Sequence, residues 1–180
     1  MERGISAVEF DICSTRDGSH VVAHPGLVSE EVLESATSFA DFLEICHSKG
    51  VEAFVDVKFT DLRFDISFLN SVKKTLFEAR MDKRSVIISR SEKVLLQFRD
   101  AVSTGYITSE IESELSYPWD MLLTPIANLQ RAFIPLSFQK WKLIATEVDT
   151  SNIESVQKFN PYAVMTNYAV EIQAWYRKRG

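Results

Sequence analysis

Short β-like runs alternate along this chain with stretches whose apolar residues recur at helical spacing. The first run, Ala7-Val8-Glu9-Phe10-Asp11-Ile12, is apolar apart from two acids at positions i and i+2. Asp17-Gly18 reads as a two-residue turn, which predicts that Val21 to Ala23 folds back as a second extended segment ending at His24-Pro25. After Pro25-Gly26, Ser29-Glu30-Glu31 opens a short acidic helical turn with Val32 and Leu33 as its apolar positions. Ser38 then caps a helix carrying Phe39, Phe42, Leu43 and Cys46, which ends at Lys49-Gly50. Val51 to Lys58 is the next strand, and Ile66, Leu69, Val72, Leu76 and Phe77 trace the helix after it. Ser85 to Ser89 is a short apolar run of the kind found in parallel sheets covered on both faces. Ser91 is expected to cap a helix with Val94, Leu95, Phe98 and Val102 inward, stopped by Gly105.

In the second half, strands are expected over Tyr106 to Ile111, Met121 to Ile126, Lys142 to Val148 and Ala163 to Asn167. Helices are expected over Ser151 to Phe159 and from Ala169 onward, with Ile172, Trp175 and Tyr176 among the apolar positions. The segment Asn128 to Lys140 has helical spacing, yet Pro135 would break or kink a helix there. Strands alternating with single helices over short links imply right-handed parallel crossovers and an α/β fold. Seven parallel strands are counted, starting with the one that carries Glu9. A closed (β/α)8 barrel needs eight and usually runs to about 250 residues. The expected architecture is therefore a TIM-barrel-like parallel barrel short of one βα unit at its start.

With 180 residues and 46% hydrophobic content, the chain can bury one sizeable core, and residues 1–180 are expected to form a single domain. The net charge of -5 argues against nucleic-acid binding, which draws on clustered Lys and Arg. The basic run Arg177-Lys178-Arg179 reads as a solvated helix end. Cys13 and Cys46 have no metal-ligand spacing and read as reduced, buried packing residues. No apolar run approaches the ~20 residues that span a bilayer, and the N-terminus lacks the order of a signal peptide, so a soluble cytoplasmic protein is expected.

Chemistry concentrates in the first third. Alternation puts Glu9 and Asp11 on one face of their strand, and two acids on a shared face call for a cation. Asp56 and Lys58 repeat the i, i+2 arrangement at the end of the next strand, and the fold-back segment carries His24 toward the carboxylates. Each has a plainer alternative: an exposed strand face for Glu9 and Asp11, a structural ion pair for Asp56 and Lys58, and a turn residue for His24. His20 falls in the turn and reads as solvated, His47 as a partner for a helix C-terminus. Ser89, Glu110 and Glu147 sit near strand ends, where barrel active sites are built, and Trp119, Trp141 and Trp175 read as core or interface aromatics.

Glu9-Phe10-Asp11, the Thr15-Arg16-Asp17-Gly18 turn and Val21-Val22-Ala23-His24 resemble the signature of the glycerophosphodiester phosphodiesterases, metal-dependent TIM-barrel enzymes. The resemblance implies that Glu9, Asp11 and Asp56 hold one divalent cation, Mg²⁺ or Ca²⁺, with Asp56 standing where the family has Glu. It implies that His24 is the general acid or base and that Lys58 touches a phosphate oxygen. Three carboxylates suit such a hard cation better than Zn²⁺. Weaker echoes are Val86-Ile87-Ile88-Ser89, Thr146, and Ala163 to Asn167, where Asn167 replaces the usual Asp. Pro25 follows His24 where Asp is usual, and the short Pro25 to Ser38 connection replaces a subdomain that many members insert, which is expected to open the mouth of the site.

Family members also begin with a strand ending in His-Arg, and Arg3-Gly4 lies too close to Glu9 to be that motif. Two functions follow. One is metal-dependent hydrolysis of a glycerophosphodiester or related small-molecule phosphodiester; the other is a catalytically impaired relative that binds a metal or phosphate ligand or acts as a scaffold. The missing strand also leaves a sheet edge that a second subunit is expected to cover.

Overall fold

The structure is a computed structural model that describes residues 6–59, 64–109, 118–129 and 142–178. Its contacts divide into two compact units, Met1–Thr104 and Gly105–Gly180. In the first unit, β1 (Ala7–Ser14) pairs in parallel with β3 (Glu52–Val57), and β3 with β4 (Ser85–Ser89). The short β2 (His20–Val22) returns antiparallel along Ile12–Ser14, so the order within this unit is β2-β1-β3-β4. On its far side β2 is held by a bridge from Val21 to Ser38 and by the Val22 N–H on the Thr37 carbonyl.

The helices form where periodicity places them. The acidic turn becomes α1 (Glu30–Glu34), with Leu33 buried and Val32 exposed. Helix α2 (Phe39–Lys49) starts at Ser38, whose hydroxyl accepts the Asp41 N–H, and stops at Gly50 in the left-handed conformation that spares glycine a Cβ clash. Phe39 and Phe42 of α2 pack on Phe10, so α2 covers the face of β1 opposite to Glu9 and Asp11. Helix α3 (Ile66–Glu78) is capped by Asp65, and α4 (Glu92–Leu96) is a short turn. Ser91 occupies the α4 N-cap without a side-chain hydrogen bond, although the expected inner residues Val94, Leu95, Phe98 and Val102 are all buried.

The second unit orders its strands β5-β6-β7-β8, all parallel: β5 (Ser103–Ile107), β6 (Met121–Pro125), β7 (Lys142–Thr146) and β8 (Ala163–Val164). Helix α5 (Ile126–Leu129) follows β6 directly, α6 (Ile153–Gln157) lies between β7 and β8, and α7 (Ala169–Arg177) follows β8. Ile126, Leu129, Ala145, Val148, Val156 and Ile172 are among the buried residues of this unit's core, with Trp175 packed against it. Gly105 does not stop a helix: it lies inside β5, paired with Met121, because the chain leaves α4 after Leu96 and is already extended at Ser103. Six of the seven expected strands lie where expected, the other, expected over Tyr106 to Ile111, is β5 and begins at Ser103, and β2 is the additional hairpin arm. Arg3-Gly4, Glu110, Pro135, Trp141 and Arg179, and most of the ambiguous Asn128 to Lys140 segment, lie outside the described residues.

Candidate metal centre

Register assembles the site. Across β1 and β3, Asp11 is the direct partner of Asp56 and Glu9 of Phe54, so Glu9, Asp11 and Asp56 leave the sheet on one face. Lys58, two residues beyond Asp56, shares that face, and Phe54 and the β4 residues Val86 and Ile88 form an apolar floor beside the acids. One oxygen from each of Glu9, Asp11 and Asp56 lies within 4.8 Å of the other two. Two oxygens on opposite sides of one Ca²⁺ are ~4.6–5.2 Å apart and of one Mg²⁺ ~4.0–4.2 Å. The observed spread thus fits one hard cation, with a small contraction for the smaller ion.

The electrostatics agree. Burial pushes the Glu9 carboxyl up to about 7, Asp11 and Asp56 push the same way, and Lys58 opposes them. The Glu9 side chain keeps solvent contact, so its proton exchanges freely with water. Asp56, only 8% exposed, is raised by burial against the lowering effect of Lys58. The Lys58 ammonium donates to Asp56 Oδ2 at 2.6 Å and stands 3.3 Å from Asp11 Oδ1. Burial alone would lower it, but the hydrogen bond and charge of Asp56, with Asp11, raise it overall. One ammonium thus neutralises part of a charge that a divalent cation would take over.

The hairpin that carries His24 differs in detail from the two-residue turn. The Thr15 carbonyl accepts the Gly18 N–H at 3.1 Å, Gly18 has φ +84°, and the Thr15 N–H reaches the Ser19 carbonyl at 2.9 Å. This is a three-residue loop closed by a left-handed glycine, a turn whose twist matches the flanking strands. Asp17 secures it by accepting from the Ser19 N–H, the Ser19 hydroxyl and the Thr15 hydroxyl. Pairing resumes directly after the loop, so β2 starts at His20, one residue before the expected Val21, and His20 is not a solvated turn residue. It pairs with Ser14, is half-buried, and packs edge-on against Phe68 with ring centroids 4.9 Å apart. Burial there lowers its pKa.

His24 lies two residues past β2, half-buried, in a turn closed by the Leu27 N–H on its carbonyl. The Gly26 N–H donates to His24 Nδ1 at 3.1 Å, which leaves the proton of the neutral ring on Nε2. His24 is not one of the three ligands that cluster within 4.8 Å. Beyond it, Leu33 and Val28 of the connection pack on Cys13 and Val21, the site-side residues past Asp11. Cys13 and Cys46 are free and buried, and burial raises both thiols. With the hairpin loop the connection lines an open pocket of about 320 Å³. Among the other expected positions, Ser89 is buried with its hydroxyl accepting the Ser91 N–H, and Glu147 is exposed with φ 60°, its carbonyl accepting from Asn152. No helix of the described residues is long and apolar enough to cross a membrane.

No family model matches the sequence, and no curated protein matches it either. Solved structures do match. A glycerophosphodiester phosphodiesterase from Parabacteroides distasonis is 16% identical with a TM-score of 0.80, over 97% of this chain and 84% of that one. An Oleispira antarctica phosphodiesterase, solved in complex with the product sn-glycerol-3-phosphate, is 16% identical at a TM-score of 0.79 over 95% and 85%. The glycerophosphodiester phosphodiesterase from Thermotoga maritima is 18% identical at 0.67 over 98% and 86%. Over nearly its whole length the chain has the TIM-barrel-like α/β fold of the glycerophosphodiester phosphodiesterases.

Proposed function

We propose that this protein hydrolyses a glycerophosphodiester or a related small phosphodiester with the help of one divalent cation, Mg²⁺ or Ca²⁺. The observation that carries the reading is the convergence of Glu9, Asp11 and Asp56 on a space fit for one ion, at the strand ends where barrel sites are built. The product bound to the Oleispira antarctica phosphodiesterase makes a small-molecule substrate of this class the natural choice. When bound, the cation would offset phosphate charge and acidify the attacking hydroxyl or water. Glu9, Asp11 and Asp56 would hold it, and Lys58, which here donates to Asp56, would meet a non-bridging phosphate oxygen as a point charge. His24, with the proton of its neutral ring on Nε2, would deliver that proton to the leaving alkoxide, while the Gly26 N–H fixes the ring through Nδ1.

The test is release of alcohol from glycerophosphocholine or of p-nitrophenol from its bis-p-nitrophenyl phosphate surrogate, with Mg²⁺, Ca²⁺ or Mn²⁺. Failure with all three, where an intact enzyme of this fold succeeds, removes the catalytic reading. A second reading, cation or phosphate binding without turnover, draws support from the acids alone forming the cluster among the described residues, with His24 outside it. Calorimetric cation titration separates the two: binding without turnover selects the second, and no binding disposes of both.

The span of the structural likeness, 97% of the chain, supports reading residues 1–180 as one such domain. Strand β2 pairs only with Ile12 to Ser14, so among the described residues the outer edge of Ala7 to Asp11 has no strand partner. An open edge of this kind favours coverage by a second copy, which sedimentation would show as a dimer.

A further inference from the structure

We propose that Arg90 is a phosphate-binding residue of this site, sharing the non-bridging oxygens of the phosphodiester with Lys58. The inference deepens the phosphodiesterase reading and rests on it for the diester, while its phosphate contact is open to test without turnover.

Register places the residue. Asp56 of β3 pairs with Ile88 of β4, and Arg90 stands two positions beyond Ile88, as Lys58 stands two beyond Asp56. The same alternation therefore carries both cations off the ends of neighbouring strands on the side of the acids. The Ser91 N–H on Ser89 Oγ at 3.0 Å folds the chain around Arg90, and α4 begins at Glu92, so Arg90 is held at the rim of the site. Its charge reaches the acids: with Lys58, it draws the buried Asp56 carboxyl down against the effect of burial.

The two cations differ in commitment. Lys58 is engaged by Asp56 and Asp11, whereas the exposed Arg90 makes no hydrogen bond or ion pair among the described residues. A guanidinium that acts on the acid cluster and is bonded to none of it is open to a ligand. Charge balance says which kind. With the three acids ionised, one divalent cation and Lys58 bring the site to neutrality, and a phosphodiester then makes it negative by one. Arg90 restores the balance. Its planar fork can donate to two phosphate oxygens at once, where Lys58 offers a point charge. Negative charge on those oxygens grows as the nucleophile adds to phosphorus, so the contact counts for more in the transition state than in the bound substrate.

The experiment titrates inorganic phosphate and sn-glycerol-3-phosphate calorimetrically into wild type, Arg90→Ala and Arg90→Lys in saturating Mg²⁺. Both anions are expected to bind about tenfold more weakly to Arg90→Ala, with Arg90→Lys between. Affinity for Mg²⁺ alone is expected to be undiminished in Arg90→Ala, because a cation near the acids has been removed, and this sets a phosphate contact apart from a structural role. With bis-p-nitrophenyl phosphate, kcat/KM is expected to fall about a hundredfold in Arg90→Ala, and guanidinium chloride, but not sodium chloride at equal concentration, to restore part of it. Weakened phosphate binding in Arg90→Ala supports the contact even if no diester is hydrolysed, and the phosphodiesterase reading then fails alone. Phosphate binding that is absent from wild type, indifferent to residue 90, or lost only in step with Mg²⁺ affinity overturns the proposal even if diesters are hydrolysed.

Discussion

Glu9 is the residue on which the unliganded site is least comfortable. Its carboxyl is raised from the ordinary 4.5 to about 7, so between those values the folded protein holds a proton that the unfolded chain has released. Stability from this group is therefore present in full below pH 4.5 and lost as the pH rises through 7. In metal-free protein, Glu9→Gln is expected to raise the melting temperature at pH 8 and to make little difference at pH 4.5, as thermal denaturation at the two pH values would show. Lys58 presents the opposite case. Its ammonium competes for the carboxylates that would hold a cation, so Lys58→Met is expected to tighten Mg²⁺ or Ca²⁺ binding about tenfold in calorimetry. The same change is expected to depress turnover, because the phosphate loses its point charge. If the variant bound the cation more weakly, Lys58 would be organising the acids rather than standing in for the ion.

The hairpin β1–β2 decides where His24 sits, and its geometry turns on Gly18. A Cβ placed there meets nothing within 4 Å, so substitution is opposed by the left-handed backbone alone. Gly18→Val is expected to cost about 1–2 kcal/mol and to reduce turnover more than cation affinity, since the carboxylates lie on β1 and β3 while His24 depends on the loop. Leu33 does the corresponding work for the connection. Buried against Cys13 and Val21, it pins α1 beside the site, and Leu33→Ala is expected to cost about 2–3 kcal/mol in denaturant unfolding. Helix α1 itself has only five residues and one buried side chain, too few to persist without that anchor.

For the molecule as a whole, the consequence of a carboxylate site is linkage. A cation that binds the folded chain and not the unfolded one stabilises it by about 2.7 kcal/mol at a hundred times its Kd. Millimolar Mg²⁺ or Ca²⁺ at pH 8 is therefore expected to raise the melting temperature of wild type, and to leave Asp11→Asn/Asp56→Asn unmoved; an equal rise in both would place the ion elsewhere. Much of this was legible beforehand. Alternation on β1 put Glu9 and Asp11 on one face, and apolar runs located six of the parallel strands, because a strand covered on both sides has no way to hide its composition; β5, whose Ser103–Ile107 begins three residues before the expected Tyr106, is not such a run. Loop length was not legible: Asp17-Gly18 announces a turn but not whether two or three residues close it, which moved His20 from solvent to a contact with Phe68. Neither was the open pocket, whose walls come from residues up to twenty positions apart. Sequence by itself determined which side chains could meet, since face and order follow from backbone periodicity. Only the tertiary structure decided which do meet, because the pairing of Asp11 with Asp56, and of Lys58 with both, depends on strand register, a long-range choice made by the packing of the whole sheet.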